Sequence, residues 1–302
     1  MTQQPYSQSV DPLFAKSLDV INRLVRKPPH PEVLYHYTLP EAALAIIERG
    51  VLRASNVRFM NDPSEIRYAS EVVAGVVREF QPGLSETASR LLGHVANIVE
   101  RTIEKVDFYV ASLSAEGDLL GQWRAYCLSG RGFSLGYRGA PLTRLNNDVA
   151  LLRVTYDRKE QEAAARDILN IYLPSFAAAV DSGDRERGVA AGAALGVPLT
   201  LLLLSFKHHA YEEEREFRLV RFAINSIPLG AVQFRATASM LVPFIEFNLA
   251  DHQGNTNDKA PLADIVIGPS LDSSRAEKTL KMLLAKCGYS ASIRGSTVPF
   301  VG

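Results

Sequence analysis

The sequence predicts an α+β protein built on a mixed, mainly antiparallel sheet. Segments with strand composition and period-two alternation stand at both ends of the chain, whereas the middle is helical in pattern. Strands and helices do not alternate steadily, so a doubly wound parallel sheet is not expected. We predict an N-terminal extension at residues 1–30 and a single domain at 31–302, with a helical insertion at about 159–209.

The first third of the chain supplies strands and helices in close succession. EVLYHYT predicts a strand, and LPEAALAIIERG predicts a helix that ends at Gly50. VLRASNVRF predicts a second strand, which runs into an Asn-Asp-Pro turn. Helical periodicity then covers residues 64–83 and 86–105, and an amphipathic stripe predicts a short helix within Phe14–Val25.

After residue 105 the pattern changes to that of strands. Alternation and β-branched or aromatic content predict strands at DFYVASLS, GFSLGY, ALLRVTYD, EREFRLVRF, MLVPFIEF, DIVIGP and SASIRGSTVPF. GQWRAYC predicts a short helix, and Ser273–Cys287 predicts an amphipathic one.

Composition and charge indicate a globular intracellular protein. Lys plus Arg and Asp plus Glu both total 33, so no general attraction to nucleic acid or anionic membrane is expected. Cys127 and Cys287 are too few for a disulfide framework. The N-terminal MTQQPYSQSVDPLF lacks the basic and apolar regions of a signal peptide. We therefore expect a cytoplasmic protein with reduced thiols and no membrane partner.

One uncharged stretch, Val189–Phe206, comes near the roughly 18 residues that a membrane-crossing helix needs. Its first half is mostly Ala and Gly, which add little to insertion energy, and Pro198 interrupts it. These features favour a helix packed inside the protein and broken or kinked near Pro198.

The common cofactor and metal motifs are absent from the sequence. There is no GxxxxGK[ST], HExxH or CxxC, and the histidines are scattered, so no metal is expected. GRGFSLGYRG contains glycines, but it lies between strand-like residues and favours a turn followed by a strand.

The segment YEEEREFRLVRF places carboxylates beside an apolar run. If it is a strand, then Glu214, Glu216 and Arg218 share one face. Two carboxylates this close suit acid–base work or the stabilisation of a cation. A structural Glu–Arg pair explains the same pattern.

The segment LYHYT is a second candidate. On a strand His36 and Thr38 share one face, while Tyr35 and Tyr37 share the other. His and Thr both donate and accept hydrogen bonds, which suits sugar hydroxyls. The alternative is a core histidine whose hydrogen bonds are satisfied within the protein.

A third candidate lies in SLSAEGDLLGQWRAY. Ser112 and Ser114 share a strand face, and Trp123, Arg124 and Tyr126 follow closely. The Trp and Tyr rings suit either a ligand pocket or the core. Arg124 suits a phosphate ligand or an ion pair.

The remaining polar candidates are weaker. Asn61, Asp62 and Glu65 stand in a segment that is also an ordinary turn and helix start. Tyr35, Tyr211 and Arg218 complete the candidate residues.

Taken in order, the segments LYHYT, ALAIIERGVLRAS, MNDPSE, VASLS, QWRAY, GRGFSLGY, YEEEREFRLV and DIVIGP resemble an uncharacterised bacterial family of unknown function, which is seen in cytosolic and phage-defence contexts. The resemblance covers about Leu34 to Phe300. It implies no particular activity.

LYHYT with IIERGVL, the SLS at 112–114 and the ERE at 214–216 are similar in type and order to ADP-ribosyltransferases. That family has an early strand with His followed by Thr or Ser, a middle strand with Ser, and a late strand with Glu-x-Glu. The resemblance implies that His36 binds ribose hydroxyls of NAD and that Ser112 or Ser114 shapes the nicotinamide pocket. It also implies that Glu216 is the catalytic carboxylate and that Glu214 orients the acceptor.

The sequence thus predicts an NAD-dependent ADP-ribosyltransferase or a related NAD-cleaving enzyme, with a defence toxin as one form. NAD is then the substrate, and the acceptor is a protein, a nucleic acid or water. One alternative is a non-catalytic nucleotide-binding module that uses His36, Trp123 and Arg124. Another is a metal-dependent hydrolase or nuclease with these carboxylates: Asp62, Glu65, Glu214 and Glu216.

Overall fold

A computed structural model describes residues 31–59, 64–105, 107–142, 149–222, 227–237, 240–250 and 259–299. The N-terminal extension, with its predicted helix at Phe14–Val25, lies outside the described residues, as do Asn61 and Asp62. Within these ranges the protein is a mixture of helices and a mainly antiparallel sheet, which confirms the predicted fold class.

The described strands are β1 (Val33–Thr38), β2 (Val51–Asn56), β3 (Phe108–Ser114), β4 (Phe133–Arg138), β5 (Val149–Arg153), β6 (Glu216–Phe222), β7 (Gln233–Ala236), β8 (Leu241–Asn248), β9 (Leu262–Ile267) and β10 (Ser292–Gly295). The described α-helices are α1 (Pro40–Arg49), α2 (Ser64–Phe80), α3 (Glu86–Lys105), α4 (Leu120–Tyr126), α5 (Gly139–Leu142), α6 (Arg158–Asp181), α7 (Arg185–Leu203) and α8 (Ser273–Cys287). Strand β7 was not predicted, because all four of its residues are exposed and no buried alternation marks it.

The chain divides into two compact units. Among the described residues, one unit comprises 64–105 and 155–208, and the other comprises those within 31–59, 107–154 and 209–299. The sequence pattern predicts only residues 159–209 as a helical insertion. By their contacts, helices α2 and α3 group with that insertion rather than with the sheet.

The helical unit packs α2, α3, α6 and α7 against one another. Two of its helices begin at an aspartate that accepts hydrogen bonds from the first turn. Asp157 accepts one from the Glu160 amide at the start of α6, and Asp184 accepts two at the start of α7. Such caps satisfy amides that have no partner within the helix.

Helix α7 contains most of the uncharged stretch, as far as Leu203, and it runs through Pro198, so of the predicted break or kink the break is absent. Its buried residues all lie from Leu195 onward, whereas Val189 in the first half is 67% exposed and Val197 is 44% exposed. In the described part of the chain, this is the one helix whose length and hydropathy would allow it to cross a membrane.

The sheet unit contains the ten described strands, in the order β10-β9-β4-β1-β3-β2-β8-β7, with β6 on β3 and β5 on β6. Strands β9 and β10 run parallel, and the other described strand pairings are antiparallel. Helices α1 and α8 share an apolar core with the sheet, in which Ile47 and Leu284 lie in one cluster with Leu219 and Ile265. A smaller cluster contains Tyr37, Trp123, Cys127 and Val266.

Strand β3 is the branch point that positions the candidate site. Strand β6 pairs along its whole length, from Phe108 to Ser114. Strands β1 and β2 pair with different parts of β3. Strand β2 pairs near its start, at Tyr109 and Val110, and β1 pairs only at Ser114. In the described registers, Ser112 therefore lies where β1 and β2 have diverged, and a cleft opens there.

Candidate active site

The cleft lies within the sheet unit and is lined by residues of β1, β3, α4, the 3₁₀ segment that precedes β6 and the start of β6. Its lining is Tyr35, His36, Tyr37, Ser112, Leu113, Ser114, Gln122, Tyr126, Glu214 and Glu216. The structure thus brings together seven of the fifteen residues proposed from the sequence, although they are separated by up to 181 positions, from Tyr35 to Glu216. The cleft is small, with a volume of about 60 Å³.

His36 occupies the gap between the diverging strands. Its Nδ1 lies 3.0 Å from the carbonyl oxygen of Ser112. Since a carbonyl only accepts hydrogen bonds, Nδ1 carries the proton of the neutral ring and Nε2 is left as an acceptor. Burial lowers the pKa of His36, and the Ser112 carbonyl only partly opposes that effect. His36 is therefore a neutral ring near pH 7.

Strand registers determine which side chains share a face. Tyr35 lies opposite Ser114, and Ser114 lies opposite Glu216, so these three project to the same side of the sheet. Alternation assigns His36 to the other side. Its ring reaches the cleft because β1 and β3 separate beside it, and not because its strand face matches that of Glu216.

Ser114 is buried, and its hydroxyl is bound by the backbone. Its Oγ donates to the carbonyl of Glu214 at 2.8 Å and accepts from the amide of Glu116 at 3.1 Å. The resemblance to ADP-ribosyltransferases implies that Ser112 or Ser114 shapes the nicotinamide pocket. In the structure, Ser114 joins the end of β3 to the chain that enters β6.

The chain around Glu214 is not a strand, contrary to the prediction. Residues His209–Glu214 form a 3₁₀ segment, and β6 begins only at Glu216. Arg215 between them has φ of 45°, a left-handed conformation that is unusual for any residue with a side chain. Glu214 is half-buried, and both glutamates line the cleft even though a turn separates them.

Glu216 forms a buried, two-pronged ion pair with Arg218. The Nε of Arg218 donates to Oε1 at 2.9 Å and a terminal guanidinium nitrogen donates to Oε2 at 2.9 Å. The two residues are only 5% and 1% exposed. The structural Glu–Arg pair considered from the sequence is therefore present, and Arg218 lies outside the cleft lining.

Helix α4 divides its faces between the cleft and the core. Gln122 and Tyr126, one turn apart, line the cleft. Trp123 and Cys127, also one turn apart, are fully buried, and the Trp123 ring packs edge-on against Tyr37 with centroids 4.8 Å apart. Trp123 is thus a core anchor, not a ligand contact. Gln122 was missed, although its spacing from Tyr126 could have indicated it.

Tyr37 also lines the cleft and was not proposed from the sequence. Its hydroxyl donates to the carbonyl of Glu116 at 2.8 Å and accepts from the amide of Leu119 at 2.9 Å. Burial raises the pKa of Tyr37, so it stays protonated and can donate. These bonds fix the loop that leads from β3 into α4. Leu113 is the other lining residue that was missed.

The remaining proposed residues lie away from the cleft lining. Thr38 is buried, and its carbonyl accepts from Cys127 Sγ at 3.5 Å. Arg124 and Tyr211 are exposed. Glu65 belongs to the helical unit, where it pairs with the buried Lys207 at 2.9 Å.

The carboxylates named for the hydrolase alternative are distributed along the chain. Glu65 belongs to the helical unit, Glu214 and Glu216 line the cleft of the sheet unit, and Asp62 lies outside the described residues. Within the described ranges, no three or more His, Cys, Asp or Glu side chains are grouped so that they could hold a metal ion.

Two larger cavities in the sheet unit lack the chemistry of the cleft. One, of about 480 Å³, is lined by cations that have partners: Arg49 pairs with Glu246, Lys286 pairs with Glu48, and Lys259 donates to the last carbonyls of α8. The other, of about 460 Å³, is an apolar groove between α1 and α8. Volume alone would favour them as ligand sites, but the convergent polar groups are in the small cleft.

The arrangement of α4 and β6 can be compared with known proteins. Residues 122–219 match the family described as Protein of unknown function (DUF2971). The DUF2971 match covers about a third of the chain, and it supports the resemblance to an uncharacterised domain family. It includes Gln122, Tyr126 and both cleft glutamates, whereas the strands that carry His36 and Ser112 precede it. Comparison with curated proteins and with solved structures gives no match.

Proposed function

We propose that this protein breaks the bond between ribose and nicotinamide in NAD, as an ADP-ribosyltransferase or an NAD-hydrolysing enzyme. The observation that carries the proposal is the cleft in which His36, Ser112, Glu214 and Glu216 meet. Their residue types and their order along the chain are also those of the resemblance to ADP-ribosyltransferases. The acceptor is a protein, a nucleic acid or water.

The chemistry suits these groups. As the bond from ribose C1′ to the nicotinamide nitrogen breaks, its electron pair leaves with nicotinamide and positive charge develops on the sugar. A fixed carboxylate stabilises that charge in the transition state. The unprotonated Nε2 of His36 can accept a hydrogen bond from a ribose hydroxyl. A second carboxylate can take the proton from the acceptor as the new bond to C1′ forms.

The volume of the cleft adds a requirement to the proposal. About 60 Å³ is far below the roughly 300–1,000 Å³ of sites that enclose a whole small molecule. The nicotinamide-ribose end would therefore enter only if the cleft widened on binding. The rest of the dinucleotide would lie outside the cleft.

The test is incubation of the full-length protein with NAD that carries label in its ADP-ribose part. Released nicotinamide is followed by chromatography, and transferred label is sought in protein and nucleic acid from a cell extract. We expect release that is insensitive to a metal chelator and that falls strongly, together with NAD binding, in His36→Ala. Absence of nicotinamide release at protein concentrations equal to that of NAD would overturn the proposal.

A non-catalytic nucleotide-binding module is the second candidate. The Glu216–Arg218 pair favours it, because a carboxylate held at both oxygens by a guanidinium is a stable structural element. A module in which the Trp123 ring contacts the nucleotide is not supported, since that side chain is fully buried. Such a module predicts that NAD or another nucleotide raises the melting temperature while remaining intact.

A further inference from the structure

We propose that Glu214, and not Glu216, is the carboxylate that meets the substrate, and that Ser114 and the Glu216–Arg218 pair position it. This inference rests on the proposed function, because it assigns roles within the same cleft. It differs from the assignment that the sequence resemblance implies, in which Glu216 is catalytic.

The first argument concerns Glu216. Both of its carboxylate oxygens accept hydrogen bonds from Arg218, and both side chains are almost completely buried. A buried guanidinium needs its carboxylate, because removing one partner leaves an uncompensated charge in the interior. The carboxylate of Glu216 is therefore held by Arg218, and the guanidinium already neutralises much of its negative charge in the absence of a ligand.

The second argument concerns Glu214. It is more exposed than Glu216 and lines the same cleft, at the end of the 3₁₀ segment His209–Glu214. Its main chain is held in place, because Ser114 Oγ donates to its carbonyl at 2.8 Å. A carboxylate on a fixed main chain beside a cleft has the placement that stabilisation of a developing charge requires.

The third argument is the backbone between the two glutamates. Arg215 adopts a left-handed conformation, which costs free energy for a residue with a side chain and persists only where neighbours enforce it. Here the Ala115 amide donates to the Arg215 carbonyl at 2.9 Å, and the Arg215 guanidinium pairs with Glu116. A regular strand would need no such turn. The turn takes Glu214 out of the strand that holds Glu216 against Arg218.

The experiment compares three Glu→Gln changes in the full-length protein: Glu214, Glu216 and, as a matched control, the exposed Glu212 of the same acidic run. Nicotinamide release is measured per folded molecule, with a melting curve for each variant. We expect Glu214→Gln to lower release by about 100-fold or more with little change in melting. Glu216→Gln should instead lower the melting temperature by about 6 °C or more, because the buried guanidinium of Arg218 loses the negative charge that both of its hydrogen bonds to Glu216 meet. Glu212→Gln should change neither.

Ser114 is tested through its dependence on Glu214. Ser114→Ala should lower the rate constant of release by about tenfold without weakening NAD binding, and Ser114→Thr, which keeps the hydroxyl, should restore it. In a Glu214→Gln background, Ser114→Ala should have no further effect on the rate, since it acts through that carboxylate. A purely structural role would lower the rate equally in both backgrounds.

The outcomes separate this inference from the proposed function. If Glu214→Gln releases nicotinamide at the wild-type rate, while folded Glu216→Gln does not, the assignment is wrong and NAD cleavage stands. If the wild-type protein releases no nicotinamide, the proposed function fails, and the substrate role of Glu214 fails with it. The melting comparison then still decides whether Glu216 supports Arg218.

Discussion

At the scale of single residues, the role of His36 depends on the gap between β1 and β3, which only the tertiary structure shows. Its ring donates to the carbonyl of Ser112, which lies opposite Arg218 of β6 but has no partner residue on β1 or β2 in the described registers. A carbonyl that is partly withdrawn from water needs a hydrogen-bond donor, and the imidazole supplies one. The same bond selects the tautomer and leaves Nε2 as an acceptor. The same imidazole therefore satisfies a main-chain carbonyl of β3 and supplies the cleft with a hydrogen-bond acceptor.

His36 should make the stability of the protein depend on pH. Burial lowers its pKa in the folded state below the ordinary value of 6.5. As pH falls below about 6.5, the unfolded chain therefore takes up this proton first, and the folded state loses stability. We expect the melting temperature to fall between about pH 7.5 and about pH 5.5.

The control is His36→Asn, whose amide can still donate to the Ser112 carbonyl but does not titrate. The variant should show a smaller fall in melting temperature over the same pH range. An equal fall in both proteins would show that other groups cause the dependence.

At the scale of elements, α4 is a seven-residue helix that depends on its surroundings, because helices this short are not stable alone in water. The carboxylate of Asp118 accepts from Trp123 Nε1 at 2.8 Å, from Ser296 Oγ at 2.6 Å and from the Thr297 amide at 2.7 Å. Burial opposes ionisation of Asp118, but these hydrogen bonds outweigh it and lower its pKa. Asp118 thus ties α4 to the C-terminal segment.

Removal of Asp118 should loosen α4 and, with it, the side of the cleft that Gln122 and Tyr126 form. We expect Asp118→Ala to lower the free energy of unfolding by about 2–3 kcal/mol, since the lost hydrogen bonds are made to a charged group. Trp123 is the only tryptophan, so its fluorescence reports on this contact directly. Its emission should shift to longer wavelength as the buried ring gains access to water.

Thr297→Val serves as the control for Asp118, because it removes only the side-chain hydroxyl bond of 3.0 Å and leaves the amide bond. Its effect on unfolding should be about 1 kcal/mol. Unchanged emission and unchanged stability in Asp118→Ala would show that the core contacts of Trp123 hold α4 without it.

At the scale of the whole molecule, the chain builds a helical unit and a sheet unit from interleaved segments. The cleft belongs to the sheet unit alone, with residues contributed from near position 35 to position 216. The apolar second half of α7 is part of the core of the helical unit, where Leu199 and Leu202 are fully buried. Burial of these side chains removes the apolar surface that would otherwise favour a membrane.

We therefore predict that the full-length protein partitions into the soluble fraction of a cell lysate without detergent. The first half of α7 is mostly Ala and Gly, which contribute little to membrane insertion. The measurement is ultracentrifugation followed by quantification of the protein in each fraction. Recovery in the membrane fraction alone would mean that α7 leaves the helical unit to enter a bilayer.

Most of the described elements could be predicted from the sequence. Gly50 ends α1 in a left-handed conformation, as its position in the pattern indicated, and α8 spans Ser273–Cys287 as predicted. The failures have local causes too. Strand β7 has no buried alternation, and the left-handed Arg215, directly after Glu214, delays the start of β6 to Glu216. The segment YEEEREF contains no residue type that is typical of a turn, so the sequence does not predict it.

By itself, the sequence determined the fold class, the position of most strands and helices, and the residue types of the cleft. The periodicity of apolar residues, the turn residues and the helix caps all act between near neighbours in the chain, so they can be recognised in the sequence. Only the tertiary structure decided that Arg218 takes both oxygens of Glu216, that Trp123 faces the core, and that His36 enters the cleft through a gap. Those outcomes depend on strand register and on packing between distant segments, where a shift of one residue would reverse every face.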